Sequence, residues 1–457
     1  MLNLRTLTTA SVFSFIVLPS AAGAATWVET LVQNPDPEPG GRYVHQDFSI
    51  TTAGAKIQGL AYLANNEEQG VSVRYAKREV PLGTPLEEGD WELSDIRFEA
   101  AYNDRFFHPH LAQDAATGTP YATYIGNIGV EPYRLEFASF VGDSNGDCGT
   151  NFSWQCENVL SACGMEDERL GGGSSARPRL ELEAALESPA DAAHIVFQIE
   201  DEPTALVHAR KDFATQSWTC QVMPSSGYVP STLVQSTAIY HEFDGRLKPQ
   251  LTYAVADGRY PEMRQVLRSL LDYSGSPLPP LSWTPEYDIQ AVSAWKYGTP
   301  ALAVRDEGLG SQGAAFITGI GVPAVVEVQG AGSSSLPAWP VCSSNTGTWT
   351  LDYRVASDQA GSSWEPAELI VGGRPCAPAM AFGWEMSPHV LYHDDALDTL
   401  MLTARRPSEP QLWTTAEFIA ADPTWSDIIF DPDVGTVSIV FLELNAEQFT
   451  VIDGYLQ

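Results

Sequence analysis

The sequence predicts an all-β fold: a seven-bladed β-propeller with four antiparallel strands per blade, its ring closed by the N-terminal strand joining the last blade. Three observations carry this. Seven tryptophans, Trp27, Trp91, Trp154, Trp218, Trp283, Trp349 and Trp413, stand 64, 63, 64, 65, 66 and 64 residues apart. Each opens a short alternating segment, such as TWVETLV or TWTLDYRV, rich in the β-branched and aromatic residues that form strands. Three further strand-like segments precede these markers, with no helix-period segment of comparable strength between them. Four short strands recurring at a fixed period is the pattern of a propeller blade.

The second repeat shows the plan. His108 to Asp114 is an apolar-centred strand, followed by a Thr117-Gly118 turn. Pro120 to Ile125 and Leu135 to Val141 are the next two strands, and Trp154 opens the fourth, read as SWQCENVL. The order recurs as RPRLELE, HIVFQIE and ALVHARKD before Trp218. It recurs again as STAIYHEFD, KPQLTYAVAD and RQVLRSLLD before Trp283, and as PAMAFGW, PHVLYHDD and LMLTARR before Trp413. After Trp413 come SDIIFD, VSIVFLEL and FTVIDGY, with no eighth marker. Trp27 to Val32 supplies the fourth strand they lack, which removes the open sheet edges that would otherwise recruit another chain. The markers themselves are expected to pack blade seams, where a large ring buries much apolar surface.

Composition bounds the rest. Lys plus Arg is 25 and Asp plus Glu 58, a formal charge of −33. Such a surface repels phosphate, so nucleic acid is excluded as a partner. Residues 1–24 read as a cleaved signal peptide, with Arg5, an apolar run from Ala10 to Leu18, and Ala22-Gly23-Ala24 before Ala25. The alternative is an uncleaved anchor. No later run is long and apolar enough to span a bilayer, so the propeller over 25–457 is expected to be secreted or periplasmic, not inserted in a membrane, and monomeric. Six cysteines without a CxxC pair fit disulfides of an oxidising compartment. Cys148, Cys156 and Cys163 cluster closely enough for one local bridge, and Cys342 with Cys376 is the favoured remaining pair.

The strands HPHLAQD, KPQLTYAVAD and SPHVLYHDD resemble the blades of secreted sialidase-like propellers. Ser357 to Trp364 (SDQAGSSW) resembles a degenerate Asp-box turn through Asp358, Gly361 and Trp364, although the glycine stands three residues after the aspartate instead of two. The resemblance implies the fold. Sialidase activity does not follow, since no Arg-Ile-Pro element occurs and that family has six blades. Seven-bladed propellers include polysaccharide lyases, lectins and scaffolds, and the lyases use His and Tyr near the central channel.

Propeller ligands usually sit at the mouth of the central channel, so the innermost strands hold the candidates. These are His108 and His110, Arg177 and Arg179, and Tyr240 and His241. Histidine exchanges protons near neutral pH. Arginine holds a uronate carboxylate or a sulfate bidentately, and tyrosine can protonate a leaving oxygen. Together they would suit β-elimination of an acidic polysaccharide. The structural alternative is that they cap strand ends and hydrogen-bond neighbouring blades. His194 and His389, inside apolar runs, read as satisfied core histidines. His393 beside Asp394 and Asp395 invites a metal reading but lacks a second placed histidine.

One loop has calcium-ligand spacing. Asp143, Asn145 and Asp147 take positions 1, 3 and 5, and Asn151 position 9, as oxygen ligands wrap Ca2+. Cys148 stands where that pattern has glycine, and Trp154 where it has glutamate. Asp431-Pro-Asp433 is a shorter echo. No GxSxG, HExxH or P-loop occurs. The leading functional reading is a scaffold module binding a glycan or protein at one face. The rivals are a glycan-active enzyme, above all a polysaccharide lyase, and a calcium-dependent adhesin.

Overall fold

In the computed structural model the residues described are 27–32, 42–66, 70–99, 105–127, 133–142, 146–148, 153–166, 168–170, 177–185, 188–200, 205–223, 229–241, 246–257, 260–269, 283, 287–291, 295–297, 301–306, 321–331, 349–383, 387–405, 412–414, 416–421, 423–443 and 449–454. Residues 1–24 therefore lie outside them. The described chain is almost entirely antiparallel sheet. β1 (Trp27–Val32) precedes a four-stranded sheet ordered β2 (Arg42–Ile50), β3 (Ala55–Asn66), β4 (Gly70–Pro81), β5 (Glu92–Glu99). The next orders β6 (Arg105–Gln113), β7 (Pro120–Asn127), β8 (Arg134–Phe140) and β9 (Trp154–Asn158).

An eight-stranded sheet follows. It holds β10 (Arg179–Ala185), β11 (Ala190–Ile199), β12 (Ala205–Asp212) and β13 (Ser217–Val222), then β14 (Val229–His241), β15 (Arg246–Asp257), β16 (Tyr260–Ser269) and β17 (Tyr287–Ala291). Among the described residues its halves pair in register where Ala184 and Ala185 of β10 face Leu247 and Arg246 of β15. A five-stranded sheet has β18 (Trp295–Tyr297), β19 (Ala301–Asp306), β20 (Gly321–Ala331), β21 (Trp349–Val355) and β22 (Glu368–Gly373). Then come β23 (Pro375–Phe382), β24 (Pro388–Asp394), β25 (Thr399–Ala404) and β26 (Glu417–Ala421). The last sheet orders β27 (Pro423–Asp431), β28 (Thr436–Glu443), β29 (Phe449–Gly454), with β1 as its fourth strand. Trp27 faces Gly454 and Val32 faces Phe449. The indole of Trp27 lies so close over Gly454 that a Cβ there would meet its ring at 2.3 Å.

Position within a sheet decides the burial pattern. Strand β11 is buried along AAHIVFQI because sheets cover both its faces. Strand β13 alternates exposed and half-buried residues, as an edge facing solvent does. The apolar cores lie between neighbouring sheets. One joins Leu60 and Tyr62 of β3 to Val440 and Leu442 of β28 and Phe449 and Val451 of β29. Another joins Leu391 of β24 and Leu402 of β25 to Ile439 of β28. Seven strands, β2, β6, β10, β14, β19, β23 and β27, each followed by the strands it pairs with and called first strands below, pack each on the next in that order, and β27 packs on β2.

Turns between first and second strands repeat one device. The Gly118 amide donates to the Asp114 carbonyl at 2.7 Å, and the Gly435 amide to that of Asp431 at 2.8 Å. Both glycines take positive φ, +72° and 76°, where a side chain is disfavoured. The Asp114 carboxylate then reaches the neighbouring sheet, accepting from the Ala190 amide at 2.7 Å.

Three expectations change. Trp349 opens β21, an inner strand of its sheet between β20 and the edge strand β22, and Trp364 precedes β22. The even spacing there measures chain length, not strand number. SWQCENVL is not one strand: Val159–Ala162 turn into a short helix, α1, because Asn158 caps it by accepting from the Ser161 amide at 3.1 Å. Asp431 and Asp433 do hold a cation, but it is the buried Lys56 ammonium, 2.7 and 2.9 Å away. Cys148 bridges Cys156 within one sheet. Cys163 bridges Cys220, stapling the end of α1 to β13 of the next sheet. Cys342 lies outside the described residues.

Candidate functional site

The seven first strands meet at one cavity of about 230 Å³. It takes His45 from β2, His108 from β6, Arg177 and Arg179 at the start of β10, Ser236 from β14, Leu302 from β19, Met380 from β23 and Asp427 from β27. Four of the six sequence candidates thus come together: His108, Arg177 and Arg179 in the lining, and His110 buried directly behind. Tyr240 and His241 end β14, beyond Ser236, facing Leu247 and Arg246 in register. Asp143, Asn145 and Asn151 lie outside the described residues. Asp147 accepts the Cys156 amide at 2.8 Å. Among the described residues no group of three His, Cys, Asp or Glu side chains forms a metal site.

Adjacent first strands splay apart too far for a backbone ladder, so side chains bridge them. Leu111 on β6 donates its amide to His45 Nδ1 at 3.3 Å, and Leu180 on β10 donates to His110 Nδ1 at 3.4 Å. Gln113 donates to Asp47 at 2.6 Å, and Gln46 to Asp427 at 2.9 Å. Ser236 donates to Glu181 at 2.7 Å. The two imidazoles lie 3.7 Å apart between centroids. With each Nδ1 occupied as an acceptor, the neutral ring carries its proton on Nε2.

Backbone strain also gathers here. His108 has φ 46° at a bulge in β6, and Ala377 has φ 48° at a bulge in β23, each just before a proline. Such left-handed residues cost about 1–2 kcal/mol. The bulges bring the lining residues Pro109 and Pro378 to the cavity wall.

Burial governs the electrostatics. Burial, then the Arg179 charge, pull His45 down to about 3. Burial, His45 and Arg179 hold His110 well below the usual imidazole range. Burial pushes Asp47 up to about 7, Asp427 up to about 6 and Glu181 up to about 8, against the hydrogen bonds each accepts. Burial brings Arg179 down to about 10, opposed by Asp427 and Glu181. Sequence reading missed His45 and all three acids. The usable signal was their place on the first strand of a repeat, where the strands packed on either side bury an ionisable residue.

These shifts have a pH consequence. The raised carboxyls hold protons in the native state that the unfolded chain releases near pH 4. Their contribution is complete below that pH and is lost as pH rises through about 6, 7 and 8. The depressed histidines contribute above about pH 6.5, and that contribution is lost on acidification. Melting temperature is therefore expected to peak near neutrality and to fall from about pH 7 to 8.5, with Glu181→Gln flattening the alkaline limb. A limb that rises, or one the variant leaves unchanged, contradicts the assignment.

His194 lies in a second network, away from the cavity. Trp283 Nε1 donates to His208 Nδ1 at 3.1 Å, which places the His208 proton on Nε2. That nitrogen is 2.8 Å from His194 Nδ1, and His194 Nε2 is 2.9 Å from Glu183. The chain therefore runs in one direction, from indole through two neutral imidazoles to a carboxylate. Burial lowers both histidines, His208 the further. His389 is buried, with Nδ1 3.1 Å from the Ser387 carbonyl. His393 pairs with Asp398 at 3.1 Å.

No family model matches the chain, and no curated protein matches its sequence. Solved structures do. The polysaccharide lyase Uly1 is 9% identical with a TM-score of 0.48, covering 88% of either chain. An alpha-L-arabinanase of Penicillium chrysogenum, complexed with arabinobiose, is 13% identical with a TM-score of 0.44, covering 76% of this chain and 93% of its own. The six-bladed β-propeller lectin of Aleuria aurantia, which recognises fucose, is 11% identical with a TM-score of 0.42, covering 82% of this chain and 95% of its own. No helix of the described residues is long and apolar enough to cross a membrane.

Proposed function

We propose that the chain is a seven-bladed β-propeller whose axial cavity binds a glycan, making it a binding module. The order in which the seven first strands pack supports the blade reading, with β1 completing the blade of β27–β29. One observation carries the binding reading: polar side chains from separate strands converge with apolar Leu302 and Met380 on a single cavity with room for a sugar ring. The two buried imidazoles spend their basic nitrogen on backbone amides, so neither is poised to take a proton from a substrate. The raised carboxyls beside Arg179 favour the rival, a glycan-active enzyme, because perturbed acids mark catalytic sites.

Incubation with a glycan panel separates the two. The expected result is retention of intact glycans, abolished by Leu302→Trp, which fills the cavity in a variant that still melts cooperatively. New reducing ends or unsaturated products, lost in His110→Ala, would overturn the binding-module reading.

A further inference from the structure

We infer that the relay from Trp283 through His208 and His194 to Glu183 is an acid-released latch, in which a proton gained by either imidazole breaks the Trp283 bond and frees the indole. The latch fastens the two halves of the eight-stranded sheet, β10–β13 and β14–β17. Trp283, just before β17, packs on Val196 of β11, Leu206 of β12 and Met223 beyond β13, together with Leu251 of β15. Among the described residues the backbone pairing between the halves is short, two residues of β10 against two of β15, which leaves side chains to close the rest of the seam.

Three gaps separate the indole from the carboxylate. They run from Trp283 Nε1 to His208 Nδ1 at 3.1 Å, from His208 Nε2 to His194 Nδ1 at 2.8 Å, and from His194 Nε2 to Glu183 Oε2 at 2.9 Å. Each gap takes one proton, and the indole, which only donates, fixes the direction. Three protons therefore fill the relay. A fourth on His208 Nδ1 meets the indole N–H head on. On His194 Nδ1 it meets the His208 Nε2 proton, and the pair relieves that clash only by moving the His208 proton to Nδ1, where it again faces the indole. The rings cannot turn aside easily, because both are buried and lie stacked with 9° between their planes. Nor does the carboxylate take up the proton. Glu183 Oε2 also accepts from Arg210 at 3.2 Å and Oε1 from Arg246 at 2.9 Å. Burial opposes the Glu183 charge, yet His194 and the two arginines keep it ionised well below the usual carboxylate range.

The groups around the pair set the pH of release. Glu183 comes from β10, Arg210 from β12 and Lys248 from β15, while Glu181 stands opposite His194 in register on β10. Burial is the largest cause for both rings and disfavours the imidazolium, Arg210 adds to it, and Glu183 opposes it. Both histidines are thus neutral at neutral pH, and release falls below about pH 6.5, where an unburied imidazole titrates. The relay lies away from the axial cavity, so its behaviour is independent of what that cavity binds.

Selective 15N labelling of tryptophan and histidine tests this in the intact protein. The Trp283 indole signal is identified by its loss in Trp283→Phe and followed from about pH 8 down to about pH 4, beside the ring nitrogens of His194 and His208. The expected result is two neutral imidazoles protonated on Nε2 at the upper pH. On acidification one ring becomes an imidazolium and, in the same transition, the Trp283 N–H moves upfield and begins to exchange with water, while the other indole signals keep their dispersion. The double variant His194→Gln/His208→Gln, which has nothing to protonate, should show no such transition, and its melting curve verifies that it folds. An imidazolium that leaves the Trp283 signal in place overturns the latch. So does a Trp283 signal that moves while both rings stay neutral, or one that holds its position until the whole protein unfolds.

Discussion

Arg78→Ala is expected to lower the unfolding free energy by about 3–5 kcal/mol, the cost of stranding a buried charge. Arg78 and Asp453 are both fully buried, 2.6 Å apart, where β4 of the first sheet meets β29 of the last. Arg78 also donates to Gln58 at 2.6 Å and lies 4.9 Å over the Trp91 ring. Gln58 in turn donates to the Ser438 hydroxyl at 2.9 Å, and Lys56 reaches across to Asp431. This seam thus carries two buried ion pairs, one of them within a polar network. The double variant Arg78→Met/Asp453→Leu is expected to recover most of the loss, because removing both partners strands neither. Denaturant unfolding of the three proteins checks this. A single variant within about 1 kcal/mol of the wild type would mean that water reaches the seam.

Glu183→Ala should cost a similar amount, about 3–5 kcal/mol. This buried carboxylate holds His194 at 2.9 Å, Arg210 at 3.2 Å and Arg246 at 2.9 Å. Burial opposes its charge, but His194 and the two arginines outweigh burial and hold it well below the usual carboxylate range. The contribution is therefore present above about pH 4.3 and is lost as pH falls through the depressed value. Unfolding measured at pH 7 and again near pH 3 should show the gap between wild type and variant narrowing in acid. A gap independent of pH would assign the loss to packing instead of charge.

The all-β architecture was legible because tryptophan recurs where an outer strand begins, and the strands preceding each marker follow in order. The ruler failed at Trp349, which an inner strand accommodates as readily as an edge strand. The cavity was legible only in part. His110 and Arg179 stood out as charged or aromatic polar residues at strand starts. Asp47, Glu181 and Asp427 were hidden by the abundance of acids, since among 58 carboxylates nothing in local spacing separates a solvated one from one buried between first strands. That distinction arises only when distant strands pack side by side. The relay through His208 was invisible for the same reason, since its partners Trp283 and His194 come from different strands.

The pairing of β1 with β29 sets Trp27 directly opposite Gly454. A few residues could join these two positions as an ordinary hairpin. The termini then no longer interrupt the last sheet, and a circularly permuted gene opened between two consecutive sheets encodes the same pairing of β1 with β29.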